Sequence, residues 1–118
     1  MMIDPRLFAE RWLAAWNRRD LESVLALFHD DVVFTSPLAA KVVPGSDGVI
    51  SGKAALRAYW SAALAQLPEA HFELTSLFAG IDSLLLGFRM NGGAERFEIL
   101  CFREDRVSEG HGTYRVES

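Results

Sequence analysis

The sequence predicts an α+β fold in which three N-terminal helices cover one face of a strongly bent antiparallel sheet. Three observations carry that expectation. Apolar residues recur at helical spacing only in the first half of the chain, and everything after Pro68 favours strands separated by turn residues. The third is size: 118 residues, 50% hydrophobic and 24% charged, suit one domain spanning 1–118 with a core of its own. A chain this long is expected to bury roughly two-thirds of its unfolded surface, so no disulfide or metal is needed as a staple.

Asp4-Pro5 opens the first helix, because the carboxylate can accept an orphan backbone N–H and proline at the first helical position loses no bond. The helix is expected to reach Arg18, with Phe8, Trp12, Ala15 and Trp16 on one apolar stripe. Asp20 can cap a second, shorter helix whose buried face is Leu21, Val24, Leu25 and Phe28, closed by His29-Asp30-Asp31. Val32 to Ser36 is β-branched and aromatic, stopped by Pro37, and reads as a strand. Leu38 to Ser51 is expected to be irregular, and Gly52 precedes a third helix, roughly Lys53 to Ala65. Its apolar face carries Leu56, Ala63, Leu64 and either Tyr59 or Trp60, only one of which is expected to face fully inward. Four strands follow, at about His71–Phe78, Ser83–Met90, Glu95–Arg103 and Arg106–Val116, joined by Gly80-Ile81-Asp82, Asn91-Gly92-Gly93 and Glu104-Asp105.

Composition excludes several function classes. Twelve basic and sixteen acidic residues give a net charge of −4, and the basic residues are scattered, which argues against nucleic acid. No stretch approaches the roughly eighteen apolar residues of a membrane span, and the start lacks an apolar segment behind a basic end. A soluble protein of the cytoplasm is expected, without membrane contact. Cys101 is the sole cysteine, so no intramolecular disulfide and no cysteine-based zinc site can form. No His-x-His or His-x-x-x-His spacing occurs, and neither a metal nor another cofactor is expected.

The run Trp12-Leu13-Ala14-Ala15-Trp16-Asn17-Arg18-Arg19-Asp20-Leu21, followed by Leu27-Phe28-His29-Asp30-Asp31-Val32-Val33-Phe34, then Ser36-Pro37, then Gly52 before Ala55-Leu56-Arg57-Ala58-Tyr59-Trp60, resembles the nuclear transport factor 2-like superfamily. In particular it resembles the SnoaL-like and ketosteroid-isomerase-like branches, also called cystatin-like in fold. The resemblance covers nearly the whole chain, most strongly residues 8–64. It implies a cone-shaped α+β barrel with a pocket between helices and sheet that opens at one end. It does not imply one function, because the superfamily hosts isomerases, dehydratases, epoxide hydrolases, polyketide cyclases and non-catalytic modules.

Hairpin registers with Met90 opposite Glu95 and Arg103 opposite Arg106 would sort side chains by parity. Leu86, Phe88, Met90, Phe97, Ile99, Cys101, Gly110, Gly112 and Tyr114 would share one face, and Arg89, Arg96, Glu98, Leu100, Glu109, His111 and Thr113 the other. The first is the more apolar and is expected under the helices, in agreement with the family's pocket-facing positions, which fall on Phe88 and Cys101. Glu98 would then stand opposite His111 on the outer face, in a cross-strand charge ladder with Arg89. That outer face, including Leu100, is expected to pair two copies of the chain as a homodimer.

In ketosteroid isomerase an aspartate base works opposite a tyrosine and a protonated aspartic acid. The matching positions here hold Ser36, Trp12 and Cys101, or Leu100 after a one-residue slip, so the resemblance implies loss of that catalytic set. What remains is an aromatic pocket, expected from Trp12, Trp16, Phe34, Ser36, Tyr59, Trp60, Phe88, Cys101 and Tyr114, suited to a flat apolar or aromatic molecule bearing one or two oxygens. The rings could instead fill the cone. A small-molecule-binding protein is therefore expected first. The alternatives are a lyase, isomerase or hydrolase using Asp31, Asp47 or His71 as acid–base, and a non-catalytic assembly module.

Overall fold

The computed structural model describes residues 3–116. Helix α1 (Pro5–Asn17) starts as the sequence requires, with the Asp4 carboxylate accepting from the N–H groups of Arg6 and Leu7 at 2.9 and 3.1 Å. Asp20 caps α2 (Leu21–Leu25) through the N–H and hydroxyl of Ser23. This helix is shorter than expected. Phe28 is the first residue of β1 (Phe28–Thr35), and His29-Asp30-Asp31 are strand residues rather than a helix end. Long-range pairing decides the boundary: Phe28 lies beside Val107, whose N–H donates to the Leu27 carbonyl at 3.0 Å. Phe28 is fully buried in either role.

The stretch expected to be irregular contains two elements. In α3 (Pro37–Val42), Ser36-Pro37 repeats the signal of Asp4-Pro5, the Ser36 hydroxyl accepting from the Leu38 N–H at 3.1 Å. A short strand, β2 (Val49–Ser51), then pairs with β1, and Gly52 at φ 88° leads into α4 (Lys53–Ala65). A meander of β3 (Phe72–Gly80), β4 (Ser83–Met90), β5 (Arg96–Arg103) and β6 (Arg106–Gly112) completes the chain.

The six strands lie in the order β2-β1-β6-β5-β4-β3. All neighbours are antiparallel except β1 and β6, which run parallel. The fold is therefore α+β as expected, but the sheet is mixed and does not close into a barrel. Its inner face carries Leu84, Leu86, Leu100, Phe102 and Val107, buried beneath Phe8 and Trp12 of α1 and Leu56 and Trp60 of α4. Rings meet edge to face, Phe8 on Phe102 at 5.1 Å and Trp16 on Trp60 at 5.0 Å. Asn17 ties α1 to β3, its amide donating to the Phe72 carbonyl and its oxygen accepting the Phe72 N–H. No helix among the described residues is long and apolar enough to cross a membrane.

Two register details set which β5 side chains point inward, and both differ from the expected parity. Phe88 pairs with Arg96, so an odd number of residues, 89–95, connects the partners and like parities share a face. The next hairpin begins as expected, Arg103 beside Arg106, but the register shifts between Cys101 and Phe102. Ser108 is the additional residue on β6, its hydroxyl donating to the Cys101 carbonyl at 3.3 Å. Glu98 consequently pairs with Gly112 and Leu100 with Gly110, facing inward, while Ile99 and Cys101 face outward. The expected Glu98–His111 ladder does not form.

Candidate functional site

Between α1, α4 and the inner sheet face lies a cavity of about 150 Å³. Its lining passes from buried Trp12, Phe34, Trp60 and Glu98 to exposed Leu38 and Arg96, so it reaches the surface near the end of β6. Trp16, Ser36, Tyr59 and Phe88 also line it. Tyr59 and Trp60 are both buried, although they are adjacent on α4. Tyr59 reaches Ser36, its hydroxyl donating to Ser36 Oγ at 3.1 Å, while Trp60 packs edge-on to Phe34 at 5.3 Å. The cavity and the aromatic core thus share walls.

Two expected lining residues lie elsewhere. Cys101 is on the outer face, between Ser83 and Glu109, because of the odd connector and the Ser108 bulge. Tyr114 is 61% exposed, beyond the end of β6 at Gly112. The acid–base candidates on unplaced positions are also outside: Asp31 pairs with Arg103 at 2.9 Å, Asp47 occupies a turn at φ 54°, and His71 is exposed. His111 points outward, its Nδ1 in a hydrogen bond with the Thr35 hydroxyl and its Nε2 with Glu109 at 2.6 Å.

Glu98 is the residue that sequence reasoning placed on the wrong face. Only 8% exposed, it is the buried charged residue of the described chain. Burial pushes its carboxyl up to about 7, while the Trp12 indole works in the opposite direction by favouring the anion. That indole does not reach hydrogen-bonding geometry. Trp12 Nε1, Trp16 Nε1 and Glu98 Oε1 are all buried without a partner. Burial likewise raises the Tyr59 hydroxyl, followed in size by the opposing Ser36 hydrogen bond and the repulsion of Glu98.

Gly110 and Gly112 were a signal that could have located this corner, since alternate glycines on an inner strand face mark a close approach or an open space. A Cβ on Gly110 would lie 2.8 Å from the Phe34 ring, so a side chain from β1 takes that space. A Cβ on Gly112 would meet Ser36 only at 3.4 Å. At Gly112, beside Glu98, a methyl group would make only ordinary contacts.

A family model for the SnoaL-like domain matches residues 9–117. The chain belongs to the SnoaL-like family, within the nuclear transport factor 2-like superfamily. Among solved structures, this SnoaL-like chain is similar to a SnoaL-like protein of unknown function from Burkholderia thailandensis, at 31% identity and TM-score 0.88, over 95% of this chain and 94% of that one. It is similar in fold to TerC co-crystallised with polyporic acid, at 16% identity and TM-score 0.75, over 95% and 92%. A cystatin-fold protein from Novosphingobium aromaticivorans shares the fold at 19% identity and TM-score 0.70, over 95% and 99%. No curated protein matches the sequence.

The cavity is thus an apolar, largely aromatic box whose lining residues include a carboxyl that burial raises to about 7, two indoles with unpartnered N–H groups and a pair of hydroxyls.

Proposed function

We propose that this SnoaL-like chain binds a small, flat, largely apolar ring compound in the cavity and holds it by an oxygen at the Trp12–Glu98 corner. One observation carries the proposal: three residues that line a largely apolar space, Trp12, Trp16 and Glu98, each hold a buried polar atom without a partner. A buried polar group left without a hydrogen bond costs about 1–3 kcal/mol, and a bound oxygen would recover part of that. The volume supports a ligand of one ring, since a cavity of about 150 Å³ takes benzene. TerC, co-crystallised with polyporic acid, supports a small organic ligand by analogy of fold. Calorimetric titration with acetophenone tests the proposal. Wild type is expected to bind saturably, and Glu98→Leu at least tenfold more weakly with its fold intact by circular dichroism.

The position of the Glu98 carboxyl near 7 favours a second function on the same ligands. A carboxyl that exchanges its proton at neutral pH in a shielded site is suited to general acid–base work, as in a lyase, isomerase or hydrolase. Under this alternative Glu98→Gln retains ligand affinity and loses turnover in a substrate screen.

We also propose homodimerisation through the outer sheet face, on different residues from those expected. Leu100 is buried inside. The outward row instead runs Val49, Thr35, His111, Ile99, Leu85 and Phe78 across the sheet. Val49, Leu85 and Phe78 are exposed apolar residues at 47%, 37% and 60%.

A further inference from the structure

The hydroxyl pair at the other side of Gly112 has a proton to spare. Ser36 Oγ accepts from the Leu38 N–H at 3.1 Å and from the Tyr59 hydroxyl at 3.1 Å. Two hydroxyls contribute two protons, and a single bond between them uses one. Whichever oxygen donates in that bond, one O–H is left, and it has no acceptor among the described residues. Both residues line the cavity.

The position of this pair relative to Glu98 follows from the sheet. Glu98 is paired with Gly112, and Ser36 adjoins Thr35, the partner of His111. Ser36, one residue past the end of β1, therefore lies on one side of Gly112 and Glu98 on the other, and the backbones of β1 and β5 are about 10 Å apart at two strand spacings. The middle position has no side chain, and the nearest atom to a Cβ built there is Ser36 Oγ at 3.4 Å. The two polar groups thus lie on either side of the side-chain-free position Gly112, in a cavity also lined by the rings of Trp12, Phe34 and Trp60.

Resting on the ligand-binding proposal above, we infer that the ligand is a ring with an oxygen at each end, lying across Gly112. One oxygen is a hydrogen-bond acceptor at the Trp12–Glu98 corner, and the other meets the Ser36–Tyr59 hydroxyl pair. The two ends differ in chemistry. The indole N–H can only donate and so requires an oxygen with a free lone pair, which a carbonyl supplies without bringing a proton of its own. The hydroxyl pair donates its spare proton and also has lone pairs, so it receives either a carbonyl or a hydroxyl. Gly112 sets the length of the ring that fits. It is a specificity-determining position because any side chain there occupies the floor.

Three ring compounds of similar size test this by calorimetry on the wild-type chain: ethylbenzene with no oxygen, acetophenone with one, and 4-hydroxyacetophenone with oxygens at both ends. 4-Hydroxyacetophenone is expected to bind at least tenfold more tightly than acetophenone, and acetophenone more tightly than ethylbenzene. In the Ser36→Ala/Tyr59→Phe double variant the advantage of the second oxygen is expected to fall below threefold. Because Ser36 also caps a helix, a second variant, Gly112→Ala, keeps both hydroxyls and the cap, and is expected to weaken 4-hydroxyacetophenone at least fivefold. Equal wild-type affinity for acetophenone and 4-hydroxyacetophenone overturns the two-oxygen inference while leaving the cavity a binding site. Failure of all three compounds to bind overturns both the inference and the proposal beneath it.

Discussion

Glu98 on β5 and Gly112 on β6 are direct partners in the ladder, so the only buried carboxyl among the described residues stands beside a position that has no side chain. Two residues along β6, Gly110 is also a partner of an inward residue, Leu100, but there the Phe34 ring occupies the floor. The two glycines therefore answer differently to the same change. Gly110→Ala drives a methyl to 2.8 Å from the Phe34 ring and 3.2 Å from Leu100, and is expected to cost about 1–3 kcal/mol as overpacking. Gly112→Ala makes ordinary contacts and is expected to stay within about 1 kcal/mol of wild type. Urea denaturation of the two variants measures the contrast, and equal losses would contradict it.

Glu98 makes stability depend on pH in a definite direction. Its carboxyl titrates near 7 in the folded chain against an ordinary value of 4.5. Below 4.5 both states are protonated and the contribution of this group to stability is greatest. Between 4.5 and 7 only the folded state keeps the proton, so stability declines with rising pH and levels off above 7, a loss of about 3 kcal/mol. Glu98→Gln removes this dependence. Urea melts are expected to show the variant gaining on wild type from pH 5 to pH 8, and an unchanged gap would show that Glu98 titrates normally.

Trp12 is 1% exposed and packs against Phe88 at 5.4 Å. Trp12→Ala is expected to cost about 3–5 kcal/mol, as deletion of a large buried ring does. Trp12→Phe keeps most of the packing while removing an unpartnered N–H, and is expected to lose less than half as much. A loss below about 1 kcal/mol for Trp12→Ala would mean that α1 docks differently.

Light scattering at micromolar concentration is expected to report a particle of twice 13.1 kDa. Phe78→Asp, on the outward row and away from the cavity, is expected to shift it to the monomer while leaving ring binding intact. Only monomer in the wild type would remove the proposed dimer.

Local chemistry made much of this molecule legible before its structure. Asp4-Pro5, Gly52 and the apolar spacing of Phe8, Trp12 and Trp16 act within one or two turns of chain, and the helices that they predict are present. Ser36-Pro37 carried the same signal as Asp4-Pro5, but as a stop for a strand it hid the start of α3. Phe34, Ser36, Tyr59 and Trp60 line the cavity because their elements are set locally. Glu98 was not legible, because its face depends on the parity of the connector 89–95 and on a bulge at Ser108, each shifting the register by one residue. The apolarity of Phe97, Ile99 and Cys101 points to the opposite face. On β5 the outward residues are the more hydrophobic set.

The most direct test of the central claim, that the Trp12–Glu98 corner receives a ligand oxygen, is the indole N–H resonance of Trp12 in a ¹⁵N-labelled chain titrated with acetophenone at pH 6. The chain has three tryptophans, and the Trp12→Phe spectrum assigns the resonance by its loss. A saturable downfield shift of the Trp12 proton, as its free N–H gains an acceptor, is the result predicted. A Trp12 resonance that does not move while acetophenone binds, or no binding at all, would contradict the account.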